Sequence, residues 1–122
     1  KLLDYTRDVR GVRVLTHDAG DGAGADDLRT MALDLRHRLG EAGPAVVALT
    51  GVAKGRPVVV VATNAAARER GIKAGALVRV AAQALGGGGG GKDDLAQGGG
   101  TDPARTGEAL GRVDAEIAVA AG

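Results

Sequence analysis

Apolar and polar positions change their period along this chain, and each change marks an element. Val12 and Val14, with Thr16, alternate with Arg13 and Leu15 at the two-residue period of a strand that ends before a turn over residues 18–24. Leu28, Met31, Ala32, Leu35 and Leu39 recur at the spacing of a buried helical stripe. They predict a helix over 26–39 capped by Asp26 and ended by Gly40. Two valine-rich runs, 45–50 and 56–63, are joined by Gly51, Lys54 and Gly55 and read as a β-hairpin. The four consecutive valines 58–61 predict a strand covered on both faces. Asn64 is placed to cap a short helical turn that Gly71 breaks. Leu77, Val78, Ala81, Ala82 and Leu85 form the stripe of a second long helix over 73–85. Asp102 as cap and Pro103 in the first turn open a last helix, with Leu110, Val113 and Ile117 inward and Glu108, Arg112 and Glu116 outward. Residues 94–97 suffice for a short edge strand.

Strand, helix, hairpin, helix, short strand, helix predicts an α/β fold: a small mixed β-sheet packed by helices, one domain over residues 11–122. The first strand, its crossover helix and the next strand suit a right-handed βαβ unit. Residues 1–10 read as a helix tail or an edge strand, the remnant of an upstream helical or linker segment; the start at Lys1 suggests a piece of a longer chain. A length of 122 residues supports one core. Tyr5 is the only aromatic residue, so that core is aliphatic. No apolar run approaches the ~20 residues that span a bilayer, and no signal peptide is visible. A soluble cytoplasmic protein without membrane partners is the expectation. The net charge of +1 leaves room for a local basic patch only.

The chain lacks serine and cysteine, which removes the two commonest nucleophiles and thiolate metal sites. His37 lies between Arg36 and Arg38 on a helix and reads as exposed; His17 with Asp18 reads as a turn-capping pair. No catalytic residue and no metal or cofactor site is assigned within this segment. Gly86, Gly88 and Gly91 satisfy G-x-G-x-x-G, as any six-glycine run does. The same run with Lys92 matches part of a P-loop. Asp93 then stands where a hydroxyl must reach Mg²⁺, and the run follows a helix rather than a strand, so nucleotide hydrolysis is not expected.

Nine of the fifteen residues from 86 to 100 are glycine, and the segment reads as a glycine-rich loop. Glycine gives up the most backbone freedom on ordering, and it lets bare main chain approach a ligand or another chain. Gly86, Gly87, Gly88, Gly89, Gly90 and Gly91 with Lys92 are therefore candidates to hold a phosphate backbone, joined by Gln97, Gly98, Gly99 and Gly100. Lys73 and Arg79, with Arg68, Arg70 and Arg105, are candidates for a basic rim. Gln97 equally suits pairing with local main chain. Without aromatic stacking platforms, folded RNA read by shape fits better than single strands.

The string Ala96-Gln97-Gly98-Gly99-Gly100, after a glycine run that ends in Lys92 and before Thr101-Asp102 and a helix, resembles the C-terminal C-Ala, or DHHA1, domain of bacterial alanyl-tRNA synthetases. The likeness extends loosely from Gly11 onward, through Ile72-Lys73-Ala74-Gly75 and Ala81-Ala82. That family usually has Arg-Pro-Asp where this chain has Lys92-Asp93-Asp94, so the tip carries an extra acid and lacks the stiffening proline. The resemblance implies a noncatalytic segment of an alanine-tRNA ligase that docks the tRNA(Ala) elbow, so that aminoacylation and editing act on one tRNA. It implies ATP, Mg²⁺ and zinc for the parent enzyme only, upstream domains as neighbours, and homodimerisation through a helical part absent here. Two alternatives stand beside it. One is the accessory substrate-binding domain of a DHH-type phosphoesterase, which usually carries Gly-Gly-Gly-His where this chain has Gly98-Gly99-Gly100-Thr101. The other is a self-association module.

Overall fold

The structure, a computed structural model, describes residues 1–122. Its strands are β1 (Arg7–Val9), β2 (Val12–Asp21), β3 (Ala45–Ala53), β4 (Arg56–Thr63), β5 (Gly89–Gly91) and β6 (Leu95–Gly99). Its helices are α1 (Ala25–Leu39), α2 (Ala65–Glu69), α3 (Ala74–Ala84) and α4 (Thr106–Ala121). The strands form one mixed sheet in the order β1-β2-β3-β4-β6-β5. Only β2 and β3 pair in parallel, because α1 carries the chain back between them; the other neighbours are antiparallel.

Helices cover the two faces unequally. On one face α3 and α4 enclose a core that includes Val14, Val46, Val59, Leu77, Val113 and Ile117. On the other, α1 lies over β3 and β4 and seals Leu15, Leu28, Leu35, Leu49 and Val60. The valine run of β4 is split as its alternation requires, with Val59 and Val61 in the first core and Val60 in the second. While α3 packs on β5 and β6, α1 lies mainly over β3 and β4, meets β6 at Leu95 and leaves most of the β5–β6 face open.

Asn64 fastens one end of the sheet. Its buried side chain accepts from the N–H groups of Ala45 (2.9 Å) and Ala67 (3.0 Å) and donates to the carbonyls of Gly40 (3.1 Å) and Gly43 (2.9 Å). The predicted cap of α2 thus also ties the end of α1 to the start of β3.

Four details differ from the sequence pattern. The first long strand does not stop before residue 18: β2 continues to Asp21 across a register irregularity, and its extension pairs with β3. At α1 the N-cap is Gly24, with extended backbone and no side-chain cap; Asp26 and Asp27 instead place their charges in the first turn, near the positive helix end. Asp102 caps a short 3₁₀ turn, Pro103–Arg105, that leads into α4. The glycine-rich segment is not a loop, and residues 94–97 do not form an edge. Gly89–Gly91 is itself the edge strand, and β6 lies inside it. Glycine is a poor strand former, so the pairing partner and α3 impose this conformation. Residues 1–10 hold a 3₁₀ turn, Leu2–Tyr5, followed by β1 on the opposite edge.

Candidate nucleic-acid interface

A Schellman motif ends α3 and launches the glycines. Gly86 takes φ +83°, the Gly87 N–H donates to the Ala82 carbonyl (2.9 Å), and the Gly86 N–H donates to that of Gln83 (3.1 Å). Beyond it the glycines fall into two kinds. A Cβ on Gly87 would sit 2.2 Å from the Gly99 carbonyl oxygen, and one on Gly100 would sit 2.1 Å from that of Leu85. On Gly89 it would meet the Gly98 Cα at 2.4 Å, and on Gly98 the Val78 side chain at 2.9 Å. These positions, with Gly91 and Gly99, exclude side chains because strands and helix lie too close. Gly88 and Gly90 have nothing within 4 Å of a Cβ and no positive φ. The fold gives them no reason to be glycine.

Alternation along β5 puts Gly88 and Gly90 on one face, opposite α3. Gly90 pairs directly with Gln97, so the exposed Gln97 side chain shares that face. The result is a shallow groove of about 330 Å³ lined by Gly90, Lys92, Leu95 and Gln97, with Arg29 of α1 and Asp94 at its margin. A neighbouring hollow, about 430 Å³, runs past Gly88 and Gly99 to Arg56. Lys92 N–H bonds the Leu95 carbonyl (3.1 Å), and Gly99 N–H bonds that of Gly88 (3.2 Å). Antiparallel alternation from those two bonds turns the polar main-chain groups of Gly89 and Gly91 out from the sheet edge. The site offers naked backbone, one primary amide, cations and the acid Asp94; no group of three or more His, Cys, Asp and Glu is arranged to hold a metal.

The structure brings Gly88, Gly90, Lys92 and Gln97 together. Lys73 caps α3 beside the Lys92 turn, where the Ala74 N–H donates to the Asp93 carbonyl (2.8 Å). Arg79 lies on the solvent side of α3, across the sheet from the groove. Arg105 is engaged by Glu108 (2.8 Å), and Arg70 by the carbonyls of Arg10 and Ala121 (both 3.3 Å), so neither joins the rim. Asp18 caps its own turn through the Gly20 N–H (3.0 Å) and accepts from the Thr106 hydroxyl (3.0 Å), without His17. His37 is exposed. Arg29 and Arg56 escaped the sequence reading. The only signal for Arg29 was its seven-residue spacing from Arg36, which places both on one helical edge.

An open mixed sheet with helices on both faces and a glycine hairpin lying against one of them defines a small α/β domain. Residues 11–119 match the DHHA1 domain, and the chain belongs to that family. It is 70% identical over 103 residues to an alanine-tRNA ligase of Kineococcus radiotolerans, and 55% identical over 113 residues to that of Streptomyces avermitilis. These alignments cover 84% and 93% of this chain but only 11% and 13% of the ligases, so it spans about an eighth of their length. The crystal structure of the C-Ala domain from Aquifex aeolicus alanyl-tRNA synthetase superimposes with a TM-score of 0.78 at 25% identity, covering 93% of this chain and 97% of that domain. RecJ from Thermus thermophilus shares the fold, with a TM-score of 0.62 at 20% identity over 97% of this chain and 16% of RecJ.

No helix is long and apolar enough to cross a membrane.

Proposed function

We propose that this chain serves as the C-Ala segment of a bacterial alanine-tRNA ligase and docks the outer corner of tRNA(Ala), where the D and T loops meet. The observation that carries this reading is the glycine at positions 88 and 90, which internal packing does not demand. A side chain there would stand between the sheet and whatever approaches it. Bare main chain admits a sugar-phosphate backbone to contact distance, with Gln97 able to donate to and accept from a 2′-hydroxyl or base edge, and Lys92 supplying charge beside Arg29, which stands 4.0 Å from Asp26. The relatives are ligases of a tRNA, which fits such a ligand. Aminoacylation, editing, the ATP, Mg²⁺ and zinc they use, upstream contacts, dimerisation and a cytoplasmic setting belong to the parent enzyme in this reading.

Filter binding with intact tRNA(Ala) and with a transcript lacking the D arm tests it. Intact tRNA is expected to bind at least tenfold more tightly, with affinity falling as salt rises. Equal affinity for both RNAs, or concentration-dependent self-association without RNA binding, would contradict the elbow assignment.

A further inference from the structure

The Thr63 carbonyl, at the end of β4, accepts from two guanidinium groups at once: Arg36 of α1 (Nη1, 3.3 Å) and Arg68 of α2 (Nη1). Arg36 Nη1 also donates to the Asp94 carbonyl at 3.0 Å. Both side chains are half-buried, and neither lies within 4.0 Å of a carboxylate; the six ion pairs of the chain all engage other cations. Asp93 and Asp94, the acids on the adjoining turn, present main-chain carbonyls here, and Asp93 accepts in the same way from the Thr63 hydroxyl (2.6 Å).

Two like charges held on one neutral oxygen repel each other, and partial burial strengthens that repulsion. The carbonyls fix the guanidinium groups without neutralising them. Each arginine has five N–H donors, and the bonds to Thr63 and Asp94 use only Nη1, so donors remain on both forks. A phosphodiester brings a negative charge and two free oxygens, the geometry that a pair of forks accepts. The position suits RNA as well. Arg36 follows Arg29 by seven residues, about 10.5 Å along α1, and Arg29 lines the groove beside Gly90 and Gln97.

We infer that Arg36 and Arg68 form a seat for one backbone phosphate of the RNA that lies across the glycine hairpin, an inference that rests on the docking reading above. The pair fixes where the strand leaves the groove and adds one phosphate contact to the complex. It carries no base information.

The test compares this chain with its Arg36→Gln/Arg68→Gln double variant. Glutamine keeps an N–H donor for the Thr63 and Asp94 carbonyls and removes both charges. Affinity for intact tRNA(Ala) is measured between 50 and 200 mM salt. The slope of log K against log salt is expected to fall by about 0.9, the value of one phosphate on a duplex, with roughly tenfold weaker binding at the low-salt end. Arg38→Gln, at an exposed arginine paired with Asp34 (2.9 Å), is expected to leave the slope unchanged. An unchanged slope in a folded double variant overturns the seat while leaving the docking reading intact. Should the double variant unfold, the parent chain is titrated with inorganic phosphate and its arginine Nε–Hε resonances are followed by NMR. Shifts at Arg36 and Arg68 but not at Arg38 support the seat, and no shift at the pair overturns it. Failure of the parent chain to bind tRNA while those shifts persist contradicts the docking reading and retains the anion seat.

Discussion

At the scale of single residues, position rather than composition decides what a glycine is for. Alanine at Gly87 or Gly100 would put a Cβ 2.2 or 2.1 Å from the carbonyl oxygen of Gly99 in β6 or of Leu85 at the end of α3, and neither carbonyl can move without disturbing the β4–β6 pairing or the bonds that Leu85 accepts from Thr101 and Asp102. We expect about 2–3 kcal/mol of destabilisation for each, measured by urea unfolding. Alanine at Gly88 or Gly90 meets open space at an ordinary φ and is expected to leave stability within ~1 kcal/mol of the parent or to raise it slightly, by reducing unfolded-chain freedom. Asn64→Ala removes a helix cap and strands the carbonyls of Gly40 and Gly43 and the N–H groups of Ala45 and Ala67. A loss of about 3 kcal/mol is expected in the same assay. The carboxyl of Glu108 is held below its ordinary 4.5, chiefly by the hydrogen bond from Arg105; desolvation opposes this, and the charges of Arg105 and Arg112 with the hydrogen bond from Arg112 add to it. A carboxylate lowered in the folded state contributes stability above its unfolded pKa and loses it as pH falls through the folded value. Glu108→Gln should therefore lower the melting temperature slightly at pH 7 and make no difference at pH 2; an equal effect at both would show that packing, not charge, matters there.

At the scale of elements, the hairpin β5–β6 is where sequence and structure part company. The stripes of α1, α3 and α4 and the alternation of β4 were legible, because each buries a continuous set of apolar side chains at a fixed period. Glycine carries no such set. Nothing local says that Gly89–Gly91 is extended; the strand exists because β6 pairs with it on one side and Gly75 of α3 lets its main chain come close on another. Moving the edge outward then places β6 inside the sheet. The extension of β2 was hidden for a related reason, since residues 18–21 are polar or small and pair through backbone alone. The candidate site was legible as a glycine-rich segment with Lys92 and Gln97. Its boundary by Arg29 and Arg56 was not, because those residues reach it only through tertiary packing. At the tip, the Asp93 carbonyl accepts from Ala74 N–H and the Thr63 hydroxyl, interactions a proline at 93 would retain. Asp93→Pro also removes a negative charge beside Lys92, and roughly two- to fivefold tighter tRNA binding is expected in a filter assay.

At the scale of the whole molecule, a net charge of +1 means that no long-range field draws RNA to this domain. Attraction then depends on local groups of cations without an ion-pair partner, and one such group stands around the hairpin turn. Arg7, Arg105 and Arg112 are paired with Asp114 and Glu108 on the α4 side, whereas Arg36, Arg68, Lys73 and Lys92 around the hairpin turn have no ion-pair partner. The bare sheet face beside them is the one that α1 leaves uncovered. The uncovered sheet face and one group of unpaired cations thus adjoin each other, with α3 holding the glycine hairpin from behind. The most direct test replaces Gly88 and Gly90 together with valine, a residue that suits an edge strand and meets nothing within 4 Å at its Cβ. With an unchanged unfolding transition, affinity for intact tRNA(Ala) is predicted to fall at least tenfold; a folded double variant that binds as tightly as the parent chain would contradict the account.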